Sequence, residues 1–129
     1  MDEKNKSLRE AAIDAASRAY SPYSKVEVGC AVETKNGKVY KGCNIENSSF
    51  GGTVCAERVA IFSAVTDRNK EFQKIYVYTH QGWSPCGICR QVMREFCADE
   101  TEVIFGSKTG ETATTLGELL PHSFGPDDF

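Results

Sequence analysis

Hydrophobic positions along this chain switch repeatedly between a helical and a strand period. Between residues 4 and 19, Leu8, Ala11, Ala12, Ala15, Ala16 and Ala19 recur at helical spacing opposite Arg9, Asp14 and Arg18, which predicts an amphipathic helix. Ser21-Pro22 stops it, because proline pushes the preceding residue out of the helical region. Val26, Val28, Cys30 and Val32 then alternate with Glu27, Gly29, Ala31 and Glu33, the period of a strand. Asn36-Gly37 is a two-residue hairpin signal, so Lys38 to Asn44 is expected to return antiparallel.

Residues 44 to 54, rich in Asn, Ser and Gly, read as a loop. A helix opens near Cys55 and runs through Val59, Ala60, Phe62, Ser63 and Ala64. Phe72 to Thr79 is a third strand, His80 to Pro85 a loop, and about Cys86 to Cys97 a further helix. Val103 to Phe105 is a fourth strand; Lys108-Thr109-Gly110 turns into a fifth near Thr112 to Thr115; a short helix from Leu116 to Leu120 ends at Pro121. This order predicts one α/β domain over residues 1–129, a three-layer α/β/α fold with a mixed five-stranded sheet, an N-terminal helix and a β-hairpin. Strands three and four should be parallel, since a helix crosses between them.

At 129 residues the chain is long enough for one core and too short for two. A net charge of -3, with Lys and Arg scattered, argues against a nucleic acid polymer as partner, which needs a dense cationic track. No apolar stretch is long enough to span a bilayer, and the polar start Met1-Asp2-Glu3-Lys4 is followed by no secretory segment, so a cytoplasmic location is expected. The six Cys suit a reducing compartment and a thiolate metal site better than a disulfide framework.

The chemistry concentrates in Cys55-Ala56-Glu57 and Pro85-Cys86-Gly87-Ile88-Cys89. Three thiolates on a tetrahedral zinc leave a position open for water, and a carboxylate nearby can move that water's protons. Cys86 and Cys89, three apart at a helix start, present both sulfurs on one face. Cys55 and Glu57, two apart, would diverge in a regular helix, so Cys55 is expected at the very beginning of its helix. Three thiolates on Zn2+ make a negative centre, and adjacent Arg58 is expected to donate to the ligand sulfurs. The competing reading is a closed structural site: Cys97 lies about 12 Å along its helix from Cys89, too far to share a metal, whereas Cys43 is not excluded by distance. Cys30, Cys43 and Cys97 otherwise read as buried thiols, and His80 and His122 as loop or surface residues.

Cys55-Ala56-Glu57 with Pro85-Cys86-x-x-Cys89 matches the zinc deaminase signature. Together with Ser21-Pro22-Tyr23-Ser24, Gly42-Cys43-Asn44-Ile45-Glu46-Asn47 and Leu119-Leu120-Pro121-His122-Ser123-Phe124-Gly125-Pro126, the sequence resembles the small, all-Cys cytidine deaminases nearly end to end. The resemblance implies one zinc per subunit and hydrolysis of cytidine and deoxycytidine to uridine and deoxyuridine with release of ammonia. A metal-activated water attacks C4 in that family, and the residue matching Glu57 relays protons to N3 and to the leaving amine. Asn44 and Glu46 match a ribose-binding pair, and the backbone at Ala56 is expected at the base's Watson–Crick edge. The family is typically homotetrameric; Phe124 matches a residue reaching a neighbour's base, although by sequence alone it could equally anchor a local core.

Two departures bear on substrate range. Val26 stands where many relatives carry Phe, which widens the pocket, and Phe50 where many carry Tyr. A deaminase preferring a modified cytosine nucleoside, such as blasticidin S, is therefore the alternative, and a non-catalytic zinc-stabilised binding module is the reading from a different class.

Overall fold

The computed structural model describes residues 3–129. Nine regular elements follow one another: α1 (Glu3–Ala16), β1 (Val28–Thr34), β2 (Val39–Cys43), α2 (Ala56–Thr66), β3 (Phe72–Thr79), α3 (Gly87–Phe96), β4 (Glu102–Gly106), β5 (Glu111–Thr115) and α4 (Leu116–Leu119). Short 3-10 turns form at Phe50–Gly52 and Pro126–Asp128. The five strands make one sheet in the order β2-β1-β3-β4-β5, with β3 and β4 parallel and the other neighbours antiparallel. The predicted mixed sheet is therefore present, and its parallel pair is the one bridged by α3.

Two separate apolar layers cover the sheet. On one face Leu8, Ala12 and Ala16 of α1 pack on Ala31, Tyr76, Tyr78 and Ile104. On the other, Ala56, Ala60, Ile61 and Ala64 of α2 and Met93 of α3 pack on Cys30, Val32, Ile75, Val77 and Val103. Since β1 is buried on both faces, the polar-looking alternation at Gly29 and Ala31 marks the seat of α1 instead of a solvent face. A Cβ at Gly29 would lie 1.8 Å from the Ala12 carbonyl oxygen, and one at Gly42 would lie 2.4 Å from the Ala60 nitrogen. These two glycines let a helix backbone approach each face of the hairpin closely.

The sequence-based boundaries shift where tertiary contacts intervene. Helix α1 ends at Ala16 instead of residue 19: Arg18 and Ala19 donate to the Ala15 and Ala16 carbonyls in a tightened turn, and the Tyr20 amide leaves to bond Asn44 O at 3.0 Å. Strand β1 begins at Val28 instead of Val26, because the Val26 amide bonds Ser24 Oγ. The hairpin loop holds three residues, not two: Gly37 N–H bonds Thr34 O, Thr34 N–H bonds Lys38 O, and Gly37 takes φ +89°, a turn closed by a left-handed glycine. The 44–54 segment is tied down, with Ile45 bridged to Tyr20 on one side and Val54 on the other. That bridge delivers the chain into Cys55.

Substituting Gly29 by Ala should destabilise the fold by about 2 kcal/mol or more, because backbone of α1 must move off the sheet. Denaturant midpoints of parent and variant measure this; an unchanged midpoint would show that α1 is not seated as described.

Candidate metal centre

Two helices begin at the same place. Cys55 and Cys86 occupy the N-cap positions of α2 and α3, both with extended backbone, and neither side chain caps its helix. Their sulfurs face each other at 3.8 Å instead. Cys89, fully buried one turn into α3, brings its sulfur within 4.8 Å of both. A tetrahedral zinc with bonds of about 2.3 Å to sulfur requires ligand sulfurs about 3.8 Å apart, which the Cys55–Cys86 separation meets, with Cys89 close enough to complete the set. Cys55 stands at the helix start that its relation to Glu57 requires. The Cys43 thiol is turned elsewhere, donating to Arg18 O at 3.4 Å, so among the described residues the cluster holds Cys55, Cys86 and Cys89.

The electrostatics favour a thiolate here. Hydrogen bonding from the Cys89 thiol, aided against partial burial by Arg58 and Cys86, holds Cys55 down at about 5. That same sharing holds Cys89 far above its ordinary value, with burial and the Glu57 charge adding to it. Metal uptake must therefore expel the proton that Cys89 keeps, so affinity falls as the pH is lowered. Arg58 Nη2 donates to Cys55 Sγ at 3.4 Å, as the charge argument anticipates, while its Nε is buried without a partner. Glu57 is 4% exposed, and burial, with the Cys55 charge behind it, pushes its carboxyl up to about 7.

Cys55, Cys86, Glu57, Asn44 and Val26 line a single cavity of about 310 Å³, with Trp83, Ser84 and Thr79 completing part of its wall. Ala56 is fully buried and lies outside that lining. Asn44 is engaged at both ends of its amide: Oδ1 accepts from the Val28 amide at 2.9 Å, and Nδ2 donates to Val26 O at 2.8 Å. Glu46 lies outside the lining as well; its carboxylate accepts from the Tyr23 and Ser24 amides at 2.9 and 3.1 Å and from the Ser24 hydroxyl. The Ser24 hydroxyl, with those amides, holds Glu46 below the usual carboxylate range. Both side chains thus brace the 23–28 segment that carries Val26. Phe124 is not brought into the cavity and is no core anchor: 61% exposed, it packs edge-on against Phe129, and its carbonyl accepts from Gln91.

Sequence reasoning assigned no role to Trp83, Thr79, Ser84 or Arg90. Arg90 ties the α3 side of the cavity together, donating to Pro85 O at 2.7 Å, Ser84 Oγ at 2.9 Å and Leu119 O at 2.8 Å. A cation in the opening turn of a helix opposes the macrodipole, and that mismatch was the available sign that Arg90 serves something other than its own helix.

The family described as the cytidine and deoxycytidylate deaminase zinc-binding region matches residues 2–107. The chain is 44% identical over 124 residues to a cytidine deaminase of Halalkalibacterium halodurans, covering 94% of each chain. It is 44% identical over 117 residues to a cytidine deaminase of Sporosarcina psychrophila, covering 88% of this chain and 86% of the other. Its fold superposes on the crystal structure of a cytidine deaminase from Burkholderia pseudomallei with a TM-score of 0.89 and 43% identity, over 96% of this chain and all of that one.

Replacing Arg58 with Gln removes the donor that favours the Cys55 thiolate, so protons compete better for that sulfur. On acid titration of the zinc-loaded protein, the variant should release zinc at a pH higher by roughly half to one unit, in line with the tenfold or greater affinity losses typical of such outer contacts. Release followed with a chromogenic chelator decides it: superimposable curves would remove Arg58 from this role.

Proposed function

The chain belongs to the cytidine deaminase family, and from that premise we propose how its own residues carry the hydrolysis. The protein is a zinc-dependent cytidine deaminase, a hydrolase that converts its nucleoside substrate with loss of ammonia. Cys55, Cys86 and Cys89 hold the zinc. When bound, the zinc supplies a Lewis acid that brings the pKa of a water molecule toward neutrality.

Glu57 is the proton carrier. The observation behind this assignment is a carboxyl buried in the cavity wall beside the thiol cluster, with its pKa pushed up to about 7. At that value it can both accept and donate near neutral pH, as a group working twice per turnover must. It takes a proton from the attacking water and delivers it to N3 of the pyrimidine, which makes C4 electrophilic. It then takes the remaining proton from the oxygen now bonded to C4 and passes it to the amine, because an amide ion cannot leave. The C4–N bond breaks, a C4 carbonyl forms, and one water is consumed.

Asn44 and Glu46 act on the sugar side. Their hydrogen bonds fix the 23–28 segment, and Asn44 lies on the cavity wall where a hydroxyl can meet its amide. Glu46 beside it repels phosphate, so free nucleosides are favoured over nucleotides. Val26, on the cavity wall, bounds the base with less contact than a ring would give. The 44% identity to two proteins named cytidine deaminase supports cytidine, instead of a modified nucleoside, as the substrate of this chain. The described residues contain no helix long and apolar enough to cross a membrane, and a nucleoside substrate suits a cytoplasmic location.

The assembly is a homotetramer in this reading. Phe50, Ile88, Phe124 and Phe129 expose 74, 63, 61 and 97% of their surface. That is much apolar area for an isolated small subunit. Phe124 then completes a neighbour's cavity.

Ultraviolet-monitored loss of cytidine should be rapid with the parent and at least about a hundredfold slower with Glu57→Ala, at unchanged zinc content. A Glu57→Ala variant retaining parental turnover would dismiss Glu57 as the proton carrier. Sedimentation velocity should give a species of four chains, and Phe124→Ala should raise KM for cytidine severalfold. A monomer with full activity would refute both the assembly and the role of Phe124.

A further inference from the structure

Trp83 is the single tryptophan of the chain. It lies on the cavity wall with 52% of its surface exposed and belongs to neither core layer. Its backbone is nevertheless fixed on both sides. Ahead of it, Gly82 turns through φ +78°, and the Trp83 amide donates to the buried Thr79 Oγ1 at 2.7 Å. Behind it, Arg90 holds the Ser84 hydroxyl and the Pro85 carbonyl. A large aromatic side chain on so constrained a backbone, half exposed on the cavity wall, contributes little to packing.

Its place on the wall defines which part of a substrate it can meet. This step rests on the hydrolysis described above. Two chain segments with different chemistry contribute to the cavity wall and meet at the Cys55–Cys86 contact: the start of α2, bearing Cys55 and Glu57, and the segment leading into α3, bearing Trp83, Ser84 and Cys86. The pyrimidine must direct C4 at the metal between Cys55 and Cys86, and N3 at Glu57. N3 and C5 are the two ring neighbours of C4. With N3 on the α2 side, C5 is directed toward the α3 side, where Trp83 stands.

We propose that Trp83 is a specificity-determining residue that closes the cavity at the C5 edge of the pyrimidine, so that cytosine nucleosides substituted at C5 are excluded. The wide side of the cavity is then at Val26 and the narrow side at Trp83.

The test compares kcat/KM for cytidine, deoxycytidine, 5-methylcytidine and 5-iodocytidine in the zinc-loaded parent, Trp83→Val and Trp83→Phe. Trp83→Val should raise the ratio of 5-methylcytidine to cytidine at least about tenfold, the size of effect one methyl group can exert in a pocket. The increase should be larger for 5-iodocytidine, and Trp83→Phe should fall between. The ratio of deoxycytidine to cytidine should not move, which separates a steric boundary at C5 from a general loosening of the site. In the parent, uridine should change the emission of the lone tryptophan, and 5-methyluridine should bind at least about tenfold more weakly than uridine. This binding measurement decides the matter even if Trp83→Val fails to fold. A parent inactive on cytidine would overturn the reading of the whole site, and this assignment with it. A parent active on cytidine, with unmoved C5 ratios in Trp83→Val or with emission indifferent to saturating uridine, would overturn the assignment of Trp83 alone.

Discussion

Two helix starts held face to face, with sulfur 3.8 Å from sulfur, form the contact on which the rest of this structure depends. The arrangement is costly without a metal. Cys55 and Cys86 occupy N-cap positions that Ser, Thr, Asp or Asn would ordinarily fill, and neither caps. A missing cap costs about 1 kcal/mol per helix. The partial positive charge at each helix start is directed at thiolate and metal instead of being satisfied locally. Much of the surrounding fold holds these two ends in place: α2 lies directly on β2 at Gly42, Arg58 braces Cys55, and Arg90 straps the segment before Cys86 to α3 and α4.

The same convergence creates the environment of Glu57. Placed one residue beyond the N1 position of α2, its carboxyl is carried inward, above the fully buried Cys30 and next to Cys55. Burial penalises its charged form, and a thiolate neighbour penalises it further. An ordinary surface glutamate, with its lower proton affinity, would be a poorer base toward the attacking water and would hold the proton too weakly to carry it on to N3. Geometry and proton affinity therefore have one origin, the position of α2 against the sheet.

Across the cavity the site is assembled from loops stiffened by side chains. Asn44 and Glu46 spend their hydrogen bonds on backbone between Tyr23 and Val28, and Thr79 and Arg90 do the same around Trp83 and Ser84. Loops fixed in this way can bound a small rigid substrate with little ordering left to do on binding. The resemblance paired Asn44 with Glu46, and in the structure both bond the 23–28 segment, although Asn44 alone of the two lines the cavity. Their partners, on a segment some twenty residues away, were not legible, because hydrogen bonds between distant loops leave no periodic trace.

The residues by themselves determined the order of elements, the parallel pair bridged by α3 and the three-thiol cluster with its carboxylate. Each is written in local spacing: a period of 3.6 or 2, a Cys-x-x-Cys at a helix start, a Cys two residues before a Glu. The resemblance carried by the flanking motifs then narrowed that chemistry to nucleoside deamination. Tertiary structure decided the rest. It cut α1 short at Ala16, lengthened the hairpin loop by a residue, left Cys43 out of the thiol cluster and left Phe124 on the surface. It also brought Trp83 and Arg90 to the cavity. All of these depend on contacts between segments far apart in the chain, where closing a loop fixes what neither segment specifies alone.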